Sequence, residues 1–418
     1  MKSESYDIAV IGAGAAGLAA AAVTAKARPT IVIDREESPG GILRQCIHNG
    51  FGLRYFQEEL TGPEFAGRMA RKAAEADAEL ALGCTVTELA REPDGSFLLT
   101  VLSARDGVRQ IAAKAVVLAM GCRERNRGNI ATPGTRPAGV FTAGAAQKLL
   151  NVEGRLPGRS AVIVGSGDIG LIMARRLRWS GIEVKGVVEI MPTPSGLTRN
   201  IVQCLNDFGI PLWLEHSVVR ILGRERVEGV EVAPLFHGEP DLARKFSLEC
   251  DTVLFSVGLV PEMELGTQAG VQLSPATGGA LVDANYETSV PGTFSAGNVL
   301  HVHDLVDFVA EEAERMAHCV LARLDGEEPP VPQEVAVGAN LKYVVPAKCF
   351  AGRSCVFSFR PLVVADQAEL IAECGGQVVW RRKLRFVRPA EMLSAEVDGK
   401  LLDGRRLTFS LKLLEETK

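Results

Sequence analysis

Short, unbroken apolar runs recur along this chain, each followed by glycine and then by a helix-like stretch. Ile8-Ala9-Val10-Ile11 leads into Gly12-Ala13-Gly14-Ala15-Ala16-Gly17, and Ala161-Val162-Ile163-Val164 leads into Gly165-Ser166-Gly167-Asp168-Ile169-Gly170. Runs of this length bounded by turns predict strands buried on both faces. A second strand follows each turn and ends in an acid: Ile31-Val32-Ile33-Asp34, with Arg35 next to it, and Val187-Val188-Glu189. Two later runs repeat the strand-to-glycine pattern, one from Ala115 to Gly121 and one from Asp251 to Gly258.

Strands that alternate with helices predict mainly parallel sheets. The pattern is most simply read as an insertion. A first α/β domain covers residues 1–121 and 251–326, and a second covers 122–250 with its connector. Pro192-Thr193-Pro194 breaks the second unit, and Glu327-Glu328-Pro329-Pro330-Val331-Pro332 reads as a linker. Beyond it, residues 333–418 carry short β-rich runs such as Cys355-Val356-Phe357-Ser358-Phe359, which predict a small β-rich C-terminal domain. That segment is mildly basic, with Arg381, Arg382, Lys383, Arg385 and Arg388 close together; it either docks on the body or on another copy or partner, or is a solvated surface. A helix is expected from Asp304 to Leu324, with Asp304 as its cap or first-turn acid.

Each G-x-G-x-x-G sits where the physics of pyrophosphate binding needs it. The unpaired N–H groups and the positive dipole end of a helix face negative charge. Gly12 and Gly165 permit the tight turn, Gly14 and Gly167 let the pyrophosphate approach, and Gly17 and Gly170 let the helix pack on the strand. Ala15, Ala16, Asp168 and Ile169 complete the two turns, and Asp34 and Glu189 are placed to accept from a ribose hydroxyl. Two such units imply two dinucleotides and electron transfer between them. A carboxylate at Glu189 repels a 2′-phosphate, and no Arg or Lys follows before Arg199, so NADH is expected over NADPH.

Charge and cysteine usage trim the alternatives. The 418 residues carry a net charge of −5, which gives no general basic field for nucleic acid. Ile8 to Ala25 has the look of a signal segment, but cutting there would destroy the glycine fingerprint, and no other run is long and apolar enough for a membrane span. Nine scattered cysteines without C-x-x-C suit a reducing cytoplasm and argue against a disulfide scaffold or a structural zinc site. No metal site is read from the sequence.

Together with Thr293-Phe294-Ser295-Ala296-Gly297-Asn298, the two fingerprints resemble the FAD-dependent pyridine nucleotide-disulfide oxidoreductase superfamily over roughly residues 5–325. The resemblance implies two Rossmann-like domains, with the NAD(H) domain inserted in the FAD domain. It places FAD at the first fingerprint and at Gly297-Asn298, and NAD(H) at the second fingerprint, with Gly41, Gly121 and Gly258 as further cofactor-binding positions. Superfamily members usually carry Asp where Asn298 stands, and more often Glu where Asp34 stands. Gly40-Gly41 through Gly52, Glu59 through Glu64, Gly134 through Gly144 and Arg388 through Met392 look like the flavoprotein subunits that accompany anaerobic glycerol-3-phosphate dehydrogenases, and more distantly opine, hydroxyproline and proline dehydrogenase α subunits. That likeness implies a partner flavoprotein dehydrogenase that exchanges electrons with this chain.

Three residues are candidates for chemistry beside the flavin. Cys46 would act alone, since no second Cys follows before Cys84, and its thiolate would need a lowered pKa from Arg44, His48 or a helix end; the bland reading is a packed thiol. His301 and His303 would bond the flavin or pass protons, or else be structural. Two alternatives stand beside the dehydrogenase-partner reading. One is a stand-alone NADH oxidase or disulfide reductase using Cys46. The other is a nucleotide-binding sensor or scaffold with negligible turnover.

Overall fold

The computed structural model describes residues 3–414, which divide into two compact units broken at 122/123 and at 260/261. The first unit is built on a seven-stranded sheet. Ser3–Ile11 lies at its centre, parallel to Thr30–Asp34 on one side and Gly107–Leu118 on the other. Glu79–Leu82 and Thr293–Ser295 extend the parallel part. Cys84–Arg91 and Phe97–Ser103 add an antiparallel meander to a sheet that is otherwise parallel, as expected of a mainly parallel fold. The apolar runs at Ile8–Val10, Ile31–Val32 and Val116–Leu118 are fully buried, which is why they carry no polar alternation.

The helix Ala15–Thr24 is buried along almost its whole length. Its alanines and Gly17 let it pass close to the sheet, and it packs against the long helix Val306–Leu324. The helix Gly62–Glu75 starts at a capping box in which the Thr61 hydroxyl and the Glu64 carboxylate cap each other's backbone, with Pro63 in the first turn.

In the second unit, five parallel strands run in the order Leu212–Trp213, Glu183–Val188, Ser160–Val164, Thr252–Phe255, Val140–Thr142. This corrects the expected domain boundary at 251. The strand Thr252–Phe255 sits inside the second sheet, paired on both edges, and the first unit resumes only at Pro261. A small antiparallel layer of His216–Leu222, Gly229–Phe236 and Phe246–Glu249 covers part of that unit.

The C-terminal part is β-rich and belongs to the same compact unit as the first sheet. It forms one five-stranded and one three-stranded sheet around Phe357, Phe359 and Phe409, whose rings lie 4.8 Å apart where each of the first two meets Phe409. It docks on the body through Arg360, which donates to Asp304 at 2.8 Å and to the Val302 carbonyl at 3.0 Å, and through the Ala347 N–H on the Val282 carbonyl. The basic residues Arg381, Arg382, Lys383 and Arg385 lie exposed on Gln377–Val387, an edge strand. No helix among the described residues is long and apolar enough to cross a membrane.

Candidate functional site

The predicted residues of the first fingerprint come together at the start of the helix Ala15–Thr24. Gly12 has φ +108°, and a Cβ there would lie 2.4 Å from the Ala119 carbonyl oxygen. A Cβ on Gly17 would lie 1.8 Å from the Gly12 oxygen. Both positions are therefore closed to any side chain. Gly14 and Gly121, in contrast, face open space, and a Cβ on Gly41 would touch the Gly14 Cα at 3.2 Å. Gly297, at φ +78°, would press a Cβ on Ala16 at 2.8 Å and on Val309 at 3.2 Å. The glycine turn, the Gly40-Gly41 loop, Gly121 and the Gly297 turn thus converge around one helix end. An open cradle of bare backbone at a helix N-terminus fits a dinucleotide pyrophosphate.

Asp34 ties this turn to the second strand. Its Oδ2 accepts from the Ala13 N–H at 2.6 Å and its Oδ1 from the Glu36 N–H at 2.8 Å, while the side chain stays partly exposed. Arg35 is exposed beside it.

The second fingerprint repeats the plan. Glu189 Oε2 accepts from the Ser166 N–H at 2.9 Å, and its Oε1 from the Met191 N–H at 3.0 Å. Here the acid is buried, and Oε2 also accepts from the hydroxyls of Ser166 at 2.5 Å and Ser195 at 2.9 Å. Glu189 was read as a ribose acceptor, yet most of its bonding holds its own turn. Asp168 Oδ1 accepts from the Leu197 N–H at 2.8 Å and from the Asn200 amide at 2.6 Å, so the segment 195–200 folds onto the turn. Gly165 is sealed by the Ser256 carbonyl, Gly170 packs on the Ser256 side chain, and Ile169 is half-buried. Gly258, at φ +102°, accepts from the Arg125 N–H at 2.9 Å.

Cys46 does not have the environment a reactive thiolate needs. Its Sγ donates to the Ile42 carbonyl at 3.3 Å, and burial alone pushes the thiol up to about 12. The His48 ring lies 4.9 Å from that of Phe51. Among the described residues no disulfide joins any of the nine cysteines.

His301 and His303 are also placed differently from their expected roles. Their side chains are 0% and 1% exposed, so neither opens to a cofactor cleft. Both face Glu312 Oε2, at 2.8 and 3.3 Å from their Nε2 atoms, and Glu312 Oε1 accepts from the Gly297 N–H at 2.9 Å. Asn298 Oδ1 accepts from the His303 N–H at 3.0 Å and faces its Nδ1 at 3.3 Å. Burial lowers the His301 imidazole, and His303 adds to that shift. Burial opposes the Glu312 carboxylate, but His303 and His301 overcome it and hold the group well below the usual carboxylate range. Asp304 is not the helix cap: the helix begins at Val306, and Asp304 is turned to Arg360 and the Met392 N–H.

The sequence reading missed Glu312 and Asp307. Both fall on the buried face of Val306–Leu324, with Val309, Ala313, Met316 and Val320. Asp307 accepts from the N–H groups of Gly52, Arg54 and Tyr55 and so fixes that loop. Helical spacing carried the signal: an acid in phase with the apolar stripe is a buried acid with partners.

A family model described as "Pyridine nucleotide-disulphide oxidoreductase" matches residues 6–326. The chain belongs to that family. Its two lobes have the dinucleotide-binding fold of that family. It is 25% identical to hydrogen cyanide synthase subunit HcnB of Pseudomonas protegens, over 71% of this chain and 66% of that protein. An opine oxidase subunit of Agrobacterium tumefaciens is 29% identical over 65% of this chain and 56% of its own length. The chain thus spans 56–66% of the length of these two relatives. Thioredoxin reductase of Treponema pallidum is 26% identical over 70% of this chain and 89% of that protein. The solved thioredoxin reductase of T. acidophilum shares the fold, with a TM-score of 0.63, 24% identity, and coverage of 77% of this chain and 99% of that one. None of these relatives singles out a glycerol-3-phosphate dehydrogenase subunit.

Proposed function

We propose that the chain holds FAD at the first glycine turn and NAD(H) at the second, and serves as an NADH-consuming flavoenzyme. The observation that carries this reading is the repeated bond between each fingerprint's acid and its turn, Asp34 to Ala13 and Glu189 to Ser166. FAD, when bound, supplies the redox chemistry. The chain supplies binding and orientation. The space at Gly14 and Gly121 admits the cofactor backbone, and the end of the helix Ala15–Thr24 offers N–H groups to its pyrophosphate. Asp34 stands where a ribose hydroxyl donates. Asn298 has its Oδ1 turned to His303, which leaves its amide N–H groups for a cofactor acceptor.

The stand-alone reading has the broader support. The Treponema thioredoxin reductase is matched over nearly its full length, and the fold of a complete thioredoxin reductase fits within this chain. Cys46 does not support a disulfide-reductase route, because it is single and its thiol is raised to about 12. An NADH oxidase that delivers electrons from the flavin without a protein dithiol therefore fits best. A second reading, a subunit that serves a partner dehydrogenase such as a glycerol-3-phosphate dehydrogenase, is favoured by the names of two relatives: HcnB and the opine oxidase polypeptide are both subunits.

Steady-state assays of the purified lone chain separate these readings. Sustained NADH turnover with oxygen or a dye is expected. Turnover that appears only when a partner dehydrogenase and its metabolite are added would replace the stand-alone reading with the subunit one. Flavin-free protein that takes up no FAD would overturn both and leave a nucleotide-binding scaffold.

A further inference from the structure

His301, His303 and Glu312 form a cluster that the redox reading does not use. Their facing atoms are two imidazole Nε2 and one carboxylate oxygen, all buried and within 4.8 Å of one another. The bonding around them fixes what each atom can do. Asn298 Oδ1 is identified as the oxygen because it accepts from the His303 backbone N–H at 3.0 Å. His303 Nδ1, 3.3 Å from that oxygen, must therefore be the protonated nitrogen. In the neutral ring, Nε2 is then a bare lone pair facing Glu312 Oε2 at 3.3 Å. Two acceptors face each other in a dry interior only if a cation lies between them.

We propose that His301 Nε2, His303 Nε2 and Glu312 Oε2 form a buried site for one divalent first-row transition ion. Two imidazoles and a carboxylate suit zinc or ferrous iron rather than magnesium or calcium. Metal–ligand bonds of about 2.0–2.2 Å at a tetrahedral angle put neighbouring ligand atoms about 3.3–3.6 Å apart. His303 and Glu312 already stand at the lower end of that range, and His301 would have to open from 2.8 Å to Glu312. The outer partners are also those of a metal site. Asn298 holds the second nitrogen of His303, and the Gly297 N–H holds the second oxygen of Glu312, which leaves one oxygen for the ion. His301 Nδ1 has no partner among the described residues, so His301 is oriented by packing alone. Because Gly297 and Asn298 belong to the cofactor-side turn, the ion would brace that turn from behind. The site does not depend on the NADH reading.

The test uses tag-free, FAD-loaded protein. Metal content is measured by mass spectrometry as purified; the protein is then stripped with a chelator and titrated with Co2+. About one ion per chain and saturable Co2+ absorption bands at wavelengths beyond the flavin are expected. Removing the outer partner in Asn298→Leu is expected to weaken Co2+ binding by about 10–100-fold, and His303→Ala by more. Neither variant need fold for the proposal to be decided. Wild-type protein that carries no stoichiometric metal and shows no saturable Co2+ binding would overturn it, leaving a protonated imidazole as the bridging cation. Co2+ binding unchanged in a folded His303→Ala would overturn it as well.

Discussion

The two glycine turns share one design but differ in how much of it is left open. In both, an acid at the end of the second strand accepts from the middle residue of G-x-G and from the backbone two residues beyond itself. At the first turn the acid is Asp34, partly exposed, and Gly14 faces open space. At the second, Glu189 is buried under Ser166 and Ser195, and the segment 195–200 lies on Asp168. Under the proposed function, the open first turn would cradle a cofactor that stays, and the second, over which a loop of the chain itself has settled, would serve a dinucleotide that comes and goes. The fingerprint glycines set the backbone; the residues that fill the acid's remaining lone pairs set access.

The largest expected effect comes from the helix-packing glycines. An alanine at Gly17 would drive its Cβ into the Gly12 carbonyl, whereas at Gly170 the nearest atom is the Ser256 Cβ at 2.8 Å. Gly17→Ala should cost about 3 kcal/mol or more and abolish flavin retention; Gly170→Ala should cost about 1 kcal/mol and leave the flavin in place. Denaturant titration and the flavin-to-protein absorbance ratio measure both. Equal losses in the two variants would break the contrast.

Next in size is nucleotide choice. Glu189→Gln keeps the shape of the buried acid but removes its charge, so discrimination against NADPH should fall about tenfold, equivalent to ~1.4 kcal/mol. The ratio of kcat/KM for NADH and NADPH reads this directly. A wild-type enzyme that prefers NADPH would refute the role of the carboxylate.

Asp283 offers a control for what an anchored acid does without a ligand. Its Oδ1 accepts from two backbone N–H groups, those of Asn285 and Glu287, much as Asp34 does. Burial nevertheless raises its carboxyl to about 6, against an unfolded value of about 3.9. Its protonated form is thus favoured by folding, and its contribution is fully present below about pH 4 and lost as pH rises through 6. Asp283→Asn keeps the acceptor without the charge. It should stabilise the protein by about 1–3 kcal/mol at pH 8 and not at pH 4, as read from thermal unfolding at the two pH values. The same gain at both would disprove the titration.

The smallest effect is expected at Cys46. With its thiol at about 12, alkylation should be slow at pH 7 and rise about tenfold per pH unit up to pH 10. Cys46→Ser should change NADH–dye turnover by less than about twofold. A large loss would restore a redox role to the thiol.

Much of the first turn was legible because its signals are local: an apolar run, glycines at fixed offsets, and an acid at the end of the next strand. The strand Thr252–Phe255 was misplaced because its local pattern, an apolar run ending in Gly258, is the same as that of Ala115–Gly121. Only its partners, Val140–Thr142 and Ser160–Val164, decide which sheet it joins. His301 and His303 were read from their nearness in sequence to Gly297, but what they face comes from Glu312, a helix turn and more away. The loop on Asp168 depends on Ser195, Leu197 and Asn200, whose bonds follow no sequence period.

The proposed function requires hydride to pass from NADH to FAD bound by the same chain. Anaerobic addition of NADH to the FAD-loaded chain, followed through the flavin's visible absorption, tests it most directly. Rapid bleaching by about one equivalent of NADH is the predicted result. A bound flavin that stays oxidised in excess NADH would contradict the claim.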